Sequence, residues 1–539
     1  MKPAACWMAV HLWALPIEAF AATVGPDQAH RPLALLDGAF LTAVDDPAWE
    51  AGVRPGQRRA TALALAPALL LGRADAGRER QALRTVAWAA LQFTPCVTEQ
   101  EPHTVLLEVA ASRRLFGGLA RLAERLCETL APLRHRYRLA CAPTALGAAL
   151  LARWEGGADR AGGAAVNDPA GPRFGIGPHT LSLTGLRAAL GEVPLALLCS
   201  TAGELETLQG MGLQRLGDLR SLPRQGLARR FGPGLLRRLD QACGDAPDPR
   251  DAVRLPDTFE ARLELLARAD TTEQVLHGAE LLLTRLVHWA RARQARVLRF
   301  TLEMAHEGRH RDDDRIPERS RLPIALAQPC ADVAHLRALL RERLARTPLP
   351  APTLELHLRC DEIVRAAAPD GELFPTRARA QEGLARLVEH LQARLGADQV
   401  HGLAVVADHR PERGVQHPPA QLAHSGHSGH SGHSGRPAPP PPPSVAGLGP
   451  SLPHLTRPAW LLPQPRPLPE RQGRPLLDGQ PLRLLAGPER IEAGWWDGPA
   501  AARDYFVAAT PAGTLVWIYR TRLPLAQDEG GWALQGWFG

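Results

Sequence analysis

The segment His103–Gly118, HTVLLEVAASRRLFGG, constrains the fold more than any other stretch of the chain. Val105, Leu106, Leu107 and Val109 make a short apolar run, the mark of a strand buried in a sheet. Leu115-Phe116-Gly117-Gly118 then turns the chain into a helix. A second apolar run, from Trp7 to Leu12, supplies a partner strand. Two-metal phosphoryl transfer on such strands needs clustered carboxylates, because it must hold two divalent cations a few ångströms apart. These strands lack them. His103 and Thr104 stand where acids are needed, and His11 stands on the first strand.

At 539 residues the chain has room for about three to five domains. An apolar content of 45% is enough for real cores. The formal charge is +7 and the pI about 9.3, which favours a polyanionic partner such as nucleic acid. Lys2 is the only lysine, so the positive charge is arginine. A GC-rich genome produces the same bias, yet the chemical consequence stands: no lysine of the body can grip a triphosphate. The eight cysteines are scattered without a CxxC pair, which argues against a zinc ribbon or disulfide framework and fits a reducing cytoplasm. The expected location is therefore cytoplasmic, at the nucleoid. Lys2, an apolar run and Ala19-Phe20-Ala21 imitate a signal peptide, but His11, Pro16 and Glu18 interrupt the run. No stretch is long and apolar enough for a membrane span.

In chain order, a strand at 7–12 leads to a helix start at Pro16-Ile17-Glu18, and strands follow within 32–44. Gly52-Val53-Arg54-Pro55-Gly56-Gln57 is a turn with two glycines, and 58–92 reads as mostly helical. An amphipathic helix at 119–133, a strand at Tyr137–Cys141 and an alanine-rich helix at 142–154 complete this part. The order of parts resembles the Y-family (translesion) DNA polymerases. GVRPGQ is similar to that family's fingers turn, LLEV to its second palm strand, and Ala142-Pro143 with its helix to a third family segment. On this resemblance the family's first metal-binding Asp falls on His11 and its Asp-Glu pair on His103 and Thr104. The Tyr and Arg that hold the incoming triphosphate fall on Asp46 and Trp49, and the triphosphate lysine on Ala149. Glu99, Glu101 and Glu108 are the acids close enough to serve instead. A transition-metal pair at His11 and His103 is a further reading, but no third or fourth ligand accompanies it. Two hydrogen-bonded core histidines are expected, with no metal and no cofactor.

Two short helices around Gly210-Met211-Gly212 read as a helix-hairpin-helix, whose glycines let backbone N–H groups face a DNA phosphate. Arg215, Arg220, Arg229 and Arg230 lie close by to add phosphate charge. Over 255–361 the periodicities read strand, helix, strand, strand, helix, strand. That is the order of the family's DNA-gripping little finger, with Arg291, Arg293, Arg296 and Arg299 as its basic face. Asp370-Gly371-Glu372-Leu373-Phe374 resembles bacterial sliding-clamp-binding peptides, in which two adjacent apolar side chains fill a pocket on the clamp. Asp370 stands where such peptides usually carry Gln. Residues 378–400 read as helix.

Low complexity follows. His424–Gly435 is a fourfold His-Ser-Gly repeat and Pro439–Pro443 a proline run, the composition of a flexible linker. Beyond it, six of the twelve tryptophans fall in the last stretch: Trp460, Trp495, Trp496, Trp517, Trp532 and Trp537. Aromatics with arginine suit either a binding surface or the core of a small β domain. A Y-family-like body without its acids, followed by a GPERIExGWW…RDYF tail, resembles the ImuB-like proteins, a non-catalytic branch of that family.

The expected architecture is α+β and multidomain. Palm and fingers span 1–170 (fingers about 31–80), the helix-hairpin-helix thumb 171–250 and a βαββαβ little finger 251–365. A clamp-binding peptide and helical segment cover 366–412, a Pro/Gly-rich linker 413–450 and an aromatic-rich interaction domain 451–539. The resemblance implies an adaptor in translesion synthesis and damage-induced mutagenesis. Its partners would be primed or damaged DNA, the β sliding clamp, a RecA-like accessory protein of the ImuA type and an error-prone replicative-type polymerase. DNA contact is expected at Gly210, Gly212, Arg215, Arg220, Arg293, Arg296 and Arg299. Clamp contact is expected at Asp370, Leu373 and Phe374, and partner contact at Trp495, Trp496, Arg503, Trp517 and Trp537. An active lesion-bypass polymerase using Glu101 and Glu108, and a DNA-binding repair factor without clamp contact, are the alternatives.

Overall fold

The computed structural model describes residues 5–154, 181–307, 317–365, 377–420, 457–496, 501–522 and 531–538. It divides into two compact units, Met1–Arg394 and Leu395–Gly539.

The first unit begins with β1 (Trp7–His11), α1 (Leu15–Ala21), β2 (Leu33–Asp37), β3 (Phe40–Val44), α2 (Asp46–Glu50), α3 (Arg59–Leu65), β4 (Leu70–Gly72) and α4 (Ala76–Ala90). Next come β5 (Val97–Gln100), β6 (Thr104–Glu108), α5 (Leu119–Leu130), β7 (Arg138–Ala142) and α6 (Ala145–Arg153). Strands β5-β6-β1-β7 form an antiparallel sheet, so the two apolar runs of the sequence lie side by side in its middle. Alternation sends Met8, Val10, Val105 and Leu107 to one face, against α4 and α5. Ala9, Leu106 and Ala140 go to the other, against α6. Both faces are therefore dry, which is why these strands read as continuous apolar runs. A smaller sheet, β3-β2-β4, packs with α2 and α3 around Val53, in the region expected to form the fingers.

Helices α7 (Leu183–Gly191), α8 (Ala202–Gly210), α9 (Leu216–Ser221), α10 (Arg224–Phe231) and α11 (Pro233–Cys243) share a core with α6. Gly191 and Gly217 let α7 and α9 touch backbone to backbone: a Cβ on Gly217 would lie 2.9 Å from the Gly191 carbonyl.

The remaining elements are β8 (Phe259–Ala269), α12 (Thr272–Ala292), β9 (Ala295–His306), β10 (Arg319–Cys330), α13 (Val333–Ala345), β11 (Thr353–Arg365) and α14 (Arg377–Leu395). Thr271 and Gln274 form a capping box that starts α12. Both α12 and α13 cover one face of the sheet β10-β9-β11-β8. Trp289 is fully buried there, its ring 5.6 Å from Phe259 and its Nε1 donating to the Pro256 carbonyl at 3.0 Å.

In the second unit, a small hairpin pairs β12 (Ala404–Val405) with β13 (Val415–Gln416). The rest is built from β14 (Trp460–Leu468), β15 (Glu470–Arg471), β16 (Arg474–Leu477), β17 (Gln480–Pro481), β18 (Arg483–Ala493), β19 (Ala501–Ala509), β20 (Leu515–Thr521) and β21 (Trp532–Trp537). The main sheet runs β14-β21-β20-β19-β18. Residues 395–412, grouped in sequence with the clamp segment, and 413–420, read as linker, belong to this unit. The reason is electrostatic. Arg410 is buried, holds Asp408 through a pair at 2.7 Å and approaches Gly494 so closely that a Cβ there would clash with its guanidinium. Glu412 receives Arg503 at 2.9 Å.

Trp289→Ala should destabilise the β8–β11 domain by about 3–5 kcal/mol, the usual cost of removing a buried large aromatic. Urea unfolding followed by circular dichroism should show an earlier transition of that size.

Candidate functional site

His11 ends β1 directly opposite Thr104 on β6 and Arg138 on β7. Its Nδ1 lies 3.0 Å from the Thr104 hydroxyl. That hydroxyl donates its single proton to the Pro102 carbonyl at 2.8 Å, so the imidazole must be the donor in the His–Thr bond. His11 thus carries a proton at Nδ1. Burial, then the charges of Arg153, Arg138 and His103, push its pKa down to about 4. Arg153, from the last turn of α6, is itself buried enough for its pKa to be lowered. Beside them Trp13 is partly exposed, with the guanidinium groups of Arg136 and Arg138 each 5.5 Å from its ring.

His103, read in sequence as a strand position, lies in the turn before β6 at φ 43°. Its Nε2 meets Glu79 of α4 at 2.9 Å. The two histidines therefore bond to separate partners and do not converge as a ligand pair. Glu99 is paired with Val105, one residue along β5 from Gln100, which pairs with Thr104, so it faces away from His11. Glu108 accepts from the backbone N–H groups of Cys6 and Ala110, both at 3.1 Å. It sits four residues along β6 from Thr104, about 13 Å away at strand rise. Glu101 is exposed in the turn. An imidazole, a hydroxyl and arginines are the wrong donor set for a pair of hard divalent cations. Among the described residues no group of three or more His, Cys, Asp or Glu is arranged to hold a metal ion.

The triphosphate positions of the resemblance are reused as structure. Asp46 pairs with Arg136 at 2.8 Å, Arg54 stacks 3.8 Å over the Trp49 ring, and Ala149 is buried in the core shared with the thumb helices.

Around the hairpin, Gly212 takes φ 83° between α8 and α9, as a tight turn requires. Its backbone donors are already engaged. Gly212 N–H bonds Gln209, Leu213 N–H bonds Leu208, and Gln214 and Arg215 N–H both bond the Asp218 carboxylate, at 3.0 and 2.9 Å. These bonds hold the Asp218 pKa below the ordinary carboxylate value. The expected open phosphate cradle is thus filled by a side chain of the next helix. Arg215 pairs with Glu192, and Arg220 reaches the Arg187 carbonyl at 3.3 Å. Arg229 and Arg230 stand exposed at the end of α10.

The little-finger arginines do not form one face. Arg293 is a structural residue: it caps the Pro256 carbonyl at 2.6 Å and stacks on Trp289. Arg296 lines a cavity of ≈750 Å³ beside α14, and Arg299 is exposed on β9. The uncovered face of the sheet alternates charge, with Arg321 on Glu303 at 2.9 Å and Arg359 on Glu260 at 3.3 Å.

Asp370, Leu373 and Phe374 lie outside the described residues. In the second unit Trp495 and Trp496 are exposed and meet edge to face at 5.4 Å. Trp517 is core, stacked 4.2 Å from Tyr505, and Trp537 packs against the other core cluster. Arg503 donates to Glu412 and to the Tyr505 hydroxyl, which ties the 408–413 segment to the sheet. Of the five residues expected to meet a partner, only the two adjacent tryptophans present a surface.

Residues 17–153, from α1 to α6, match the family model described as the impB/mucB/samB family. Over 499 residues the chain is 28% identical to Protein ImuB of Caulobacter vibrioides strain NA1000 / CB15N, covering 90% of this chain and the whole of that protein. The chain is an ImuB-like Y-family homologue. Protein ImuB of a second C. vibrioides strain, ATCC 19089, gives the same values. Among solved structures, a ternary complex of Dbh is similar at TM-score 0.35 and 14% identity, over 67% of this chain and 99% of that one. An insertion ternary complex of Dbh DNA polymerase gives 0.36 and 15%, over 67% and 100%. Sequence reasoning missed Arg138, Arg153 and Trp13 as the surroundings of His11. The one available signal was that Trp13 directly follows the first strand.

Because His11 has a folded pKa near 4 and an ordinary value of 6.5, the unfolded chain binds the extra proton between them. Stability should therefore fall as pH drops from about 6.5 to about 4. His11→Asn, which can still donate to Thr104, should flatten that fall by up to about 1.4 kcal/mol per pH unit in urea titrations.

Proposed function

We propose that this ImuB-like chain is a non-catalytic adaptor in damage-induced mutagenesis and translesion synthesis. One observation carries the reading: at the centre of the palm a neutral His11–Thr104 pair, ringed by arginines, replaces the carboxylates that two-metal nucleotidyl transfer requires. The alternative acids support it further, since Glu108 is spent on backbone N–H groups and Glu99 faces the other way.

In this reading the body engages primed or damaged DNA without extending it. Exposed arginines of the thumb, Arg229 and Arg230 foremost, supply phosphate contacts, which makes binding fall steeply with salt. The segment holding Leu373 and Phe374 docks on the β sliding clamp. The C-terminal unit, through Trp495 and Trp496, recruits the error-prone replicative-type polymerase that carries out synthesis or the RecA-like accessory protein. Two adjacent exposed tryptophans suit this role, because aromatic anchors dominate protein interfaces.

Purified protein should shift primed DNA in a gel yet add no nucleotide with Mg²⁺ or Mn²⁺. Extension that disappears on Glu101→Ala or Glu108→Ala would instead establish a working polymerase. Leu373→Ala with Phe374→Ala should abolish clamp binding in surface plasmon resonance and leave DNA affinity unchanged. Trp495→Ala with Trp496→Ala should weaken capture of the synthesising polymerase or of the RecA-like protein by about tenfold or more, a hot-spot loss of at least about 1.4 kcal/mol. Thermal stability of the C-terminal unit should not change.

A further inference from the structure

Helix α14 is amphipathic in the wrong direction. Towards its own domain it turns Ala385, Glu389 and Ala393, its smaller residues and an acid. Towards solvent it turns Leu384, Leu387 and Leu391, which are 57%, 55% and 37% exposed. Spacings of three and four place these leucines along one stripe. The hold on the domain is mainly polar. The Glu389 carboxylate accepts from the backbone N–H groups of Ala327 and Gln328 on β10 and meets His335 Nε2 of α13 at 2.8 Å. Cavities of ≈750 and ≈210 Å³ flank this line of contact. A helix seated on two alanines and a glutamate gains little apolar burial from its own fold. The remaining apolar surface of its leucines is buried only against another body.

Charge identifies what that body is. Within 383–395 the one acid, Glu389, is turned inward and buried, while Arg386 and Arg394 are exposed beside the stripe. A second copy of α14 would set arginine against arginine. Nucleic acid would pair with the arginines but leave the leucines in water. An acidic amphipathic helix satisfies both the apolar stripe and its basic margins.

We propose that the Leu384–Leu387–Leu391 stripe of α14 is a docking surface for an acidic amphipathic helix of a partner protein. This surface is separate from the Leu373-Phe374 segment and from the tryptophans of the second unit, and it does not depend on whether the palm is catalytic.

The test uses the full-length chain and a fluorescein-labelled designed peptide, leucine at heptad a and d and glutamate at e and g, read by anisotropy. A second peptide carries lysine in place of each glutamate. The acidic peptide should bind about tenfold or more tightly than the basic one, and Leu387→Glu with Leu391→Glu should weaken it by about tenfold or more. Leu387→Ala with Leu391→Ala, which keeps helix propensity, should weaken it in the same direction with circular dichroism and primed-DNA shift unchanged. Equal binding of the two peptides, or binding indifferent to both double variants, would overturn the proposal. So would a dimer in sedimentation equilibrium that Leu387→Ala/Leu391→Ala dissolves, since the occupant would then be a second copy. Protection of the stripe by single-stranded DNA would overturn it as well.

Discussion

Strand β1 lies between β6 and β7 with apolar clusters on both faces, so every polar group along it needs a partner inside the protein. At its end that demand falls on one side chain. His11 meets it as a neutral donor to Thr104, whose hydroxyl passes the chain of hydrogen bonds to Pro102. Arg138 and Arg153 then make the surroundings positive, which deepens the preference for the neutral ring. A palm that binds divalent cations has the opposite electrostatics: carboxylates concentrated so that only cations relieve them. Here an imidazole, a hydroxyl and arginines stand in place of that concentration of negative charge.

The same internal satisfaction recurs at several places where the sequence suggested an open contact. Asp218 occupies the hairpin donors, Arg293 caps Pro256, Arg503 binds Glu412, and acids answer arginines across the little-finger sheet. A chain whose basic side chains are almost all arginine places many of them in such pairs, because the guanidinium fork suits carboxylates and carbonyls together. The arginines free to meet DNA are therefore fewer than the number of arginines in the chain.

What stands unsatisfied is apolar. Trp495 and Trp496, and the leucines of α14, are large side chains left in water beside residues that are otherwise well packed. Scattered exposed apolar residues are ordinary, but contiguous ones are characteristic of binding surfaces. The leucines sit on a helix anchored by a polar contact, Glu389 to β10, so their exposure costs the local fold little.

Local pattern alone determined much of this protein. The period-two alternation at 298–304 and 354–360, and the period of 272–292, made the β-α-β-β-α-β order readable, because burial on one face imprints itself on neighbouring residues. The lack of acids at His11 and Thr104 was equally visible, since it needs only the residues and the two strands. The tertiary structure decided what distant residues do to one another. Arg138 and Arg153 reach His11 only through the pairing of β7 and the docking of α6. The hairpin glycines were legible, but that Asp218 fills their cradle was not, because the competing acceptor sits one turn into the next helix. Trp517 and Trp495 look alike in sequence, and only the β19–β20 pairing puts one against Tyr505 while the other stays outside. Residues 395–412 read as part of the clamp and helical segment and 413–420 as linker, and only the tertiary structure, with Arg410 buried, ties them to the second unit. That 378–400 is helical was legible, but which face turns inward depends on β10 offering two backbone donors to Glu389, a fact that no local pattern contains.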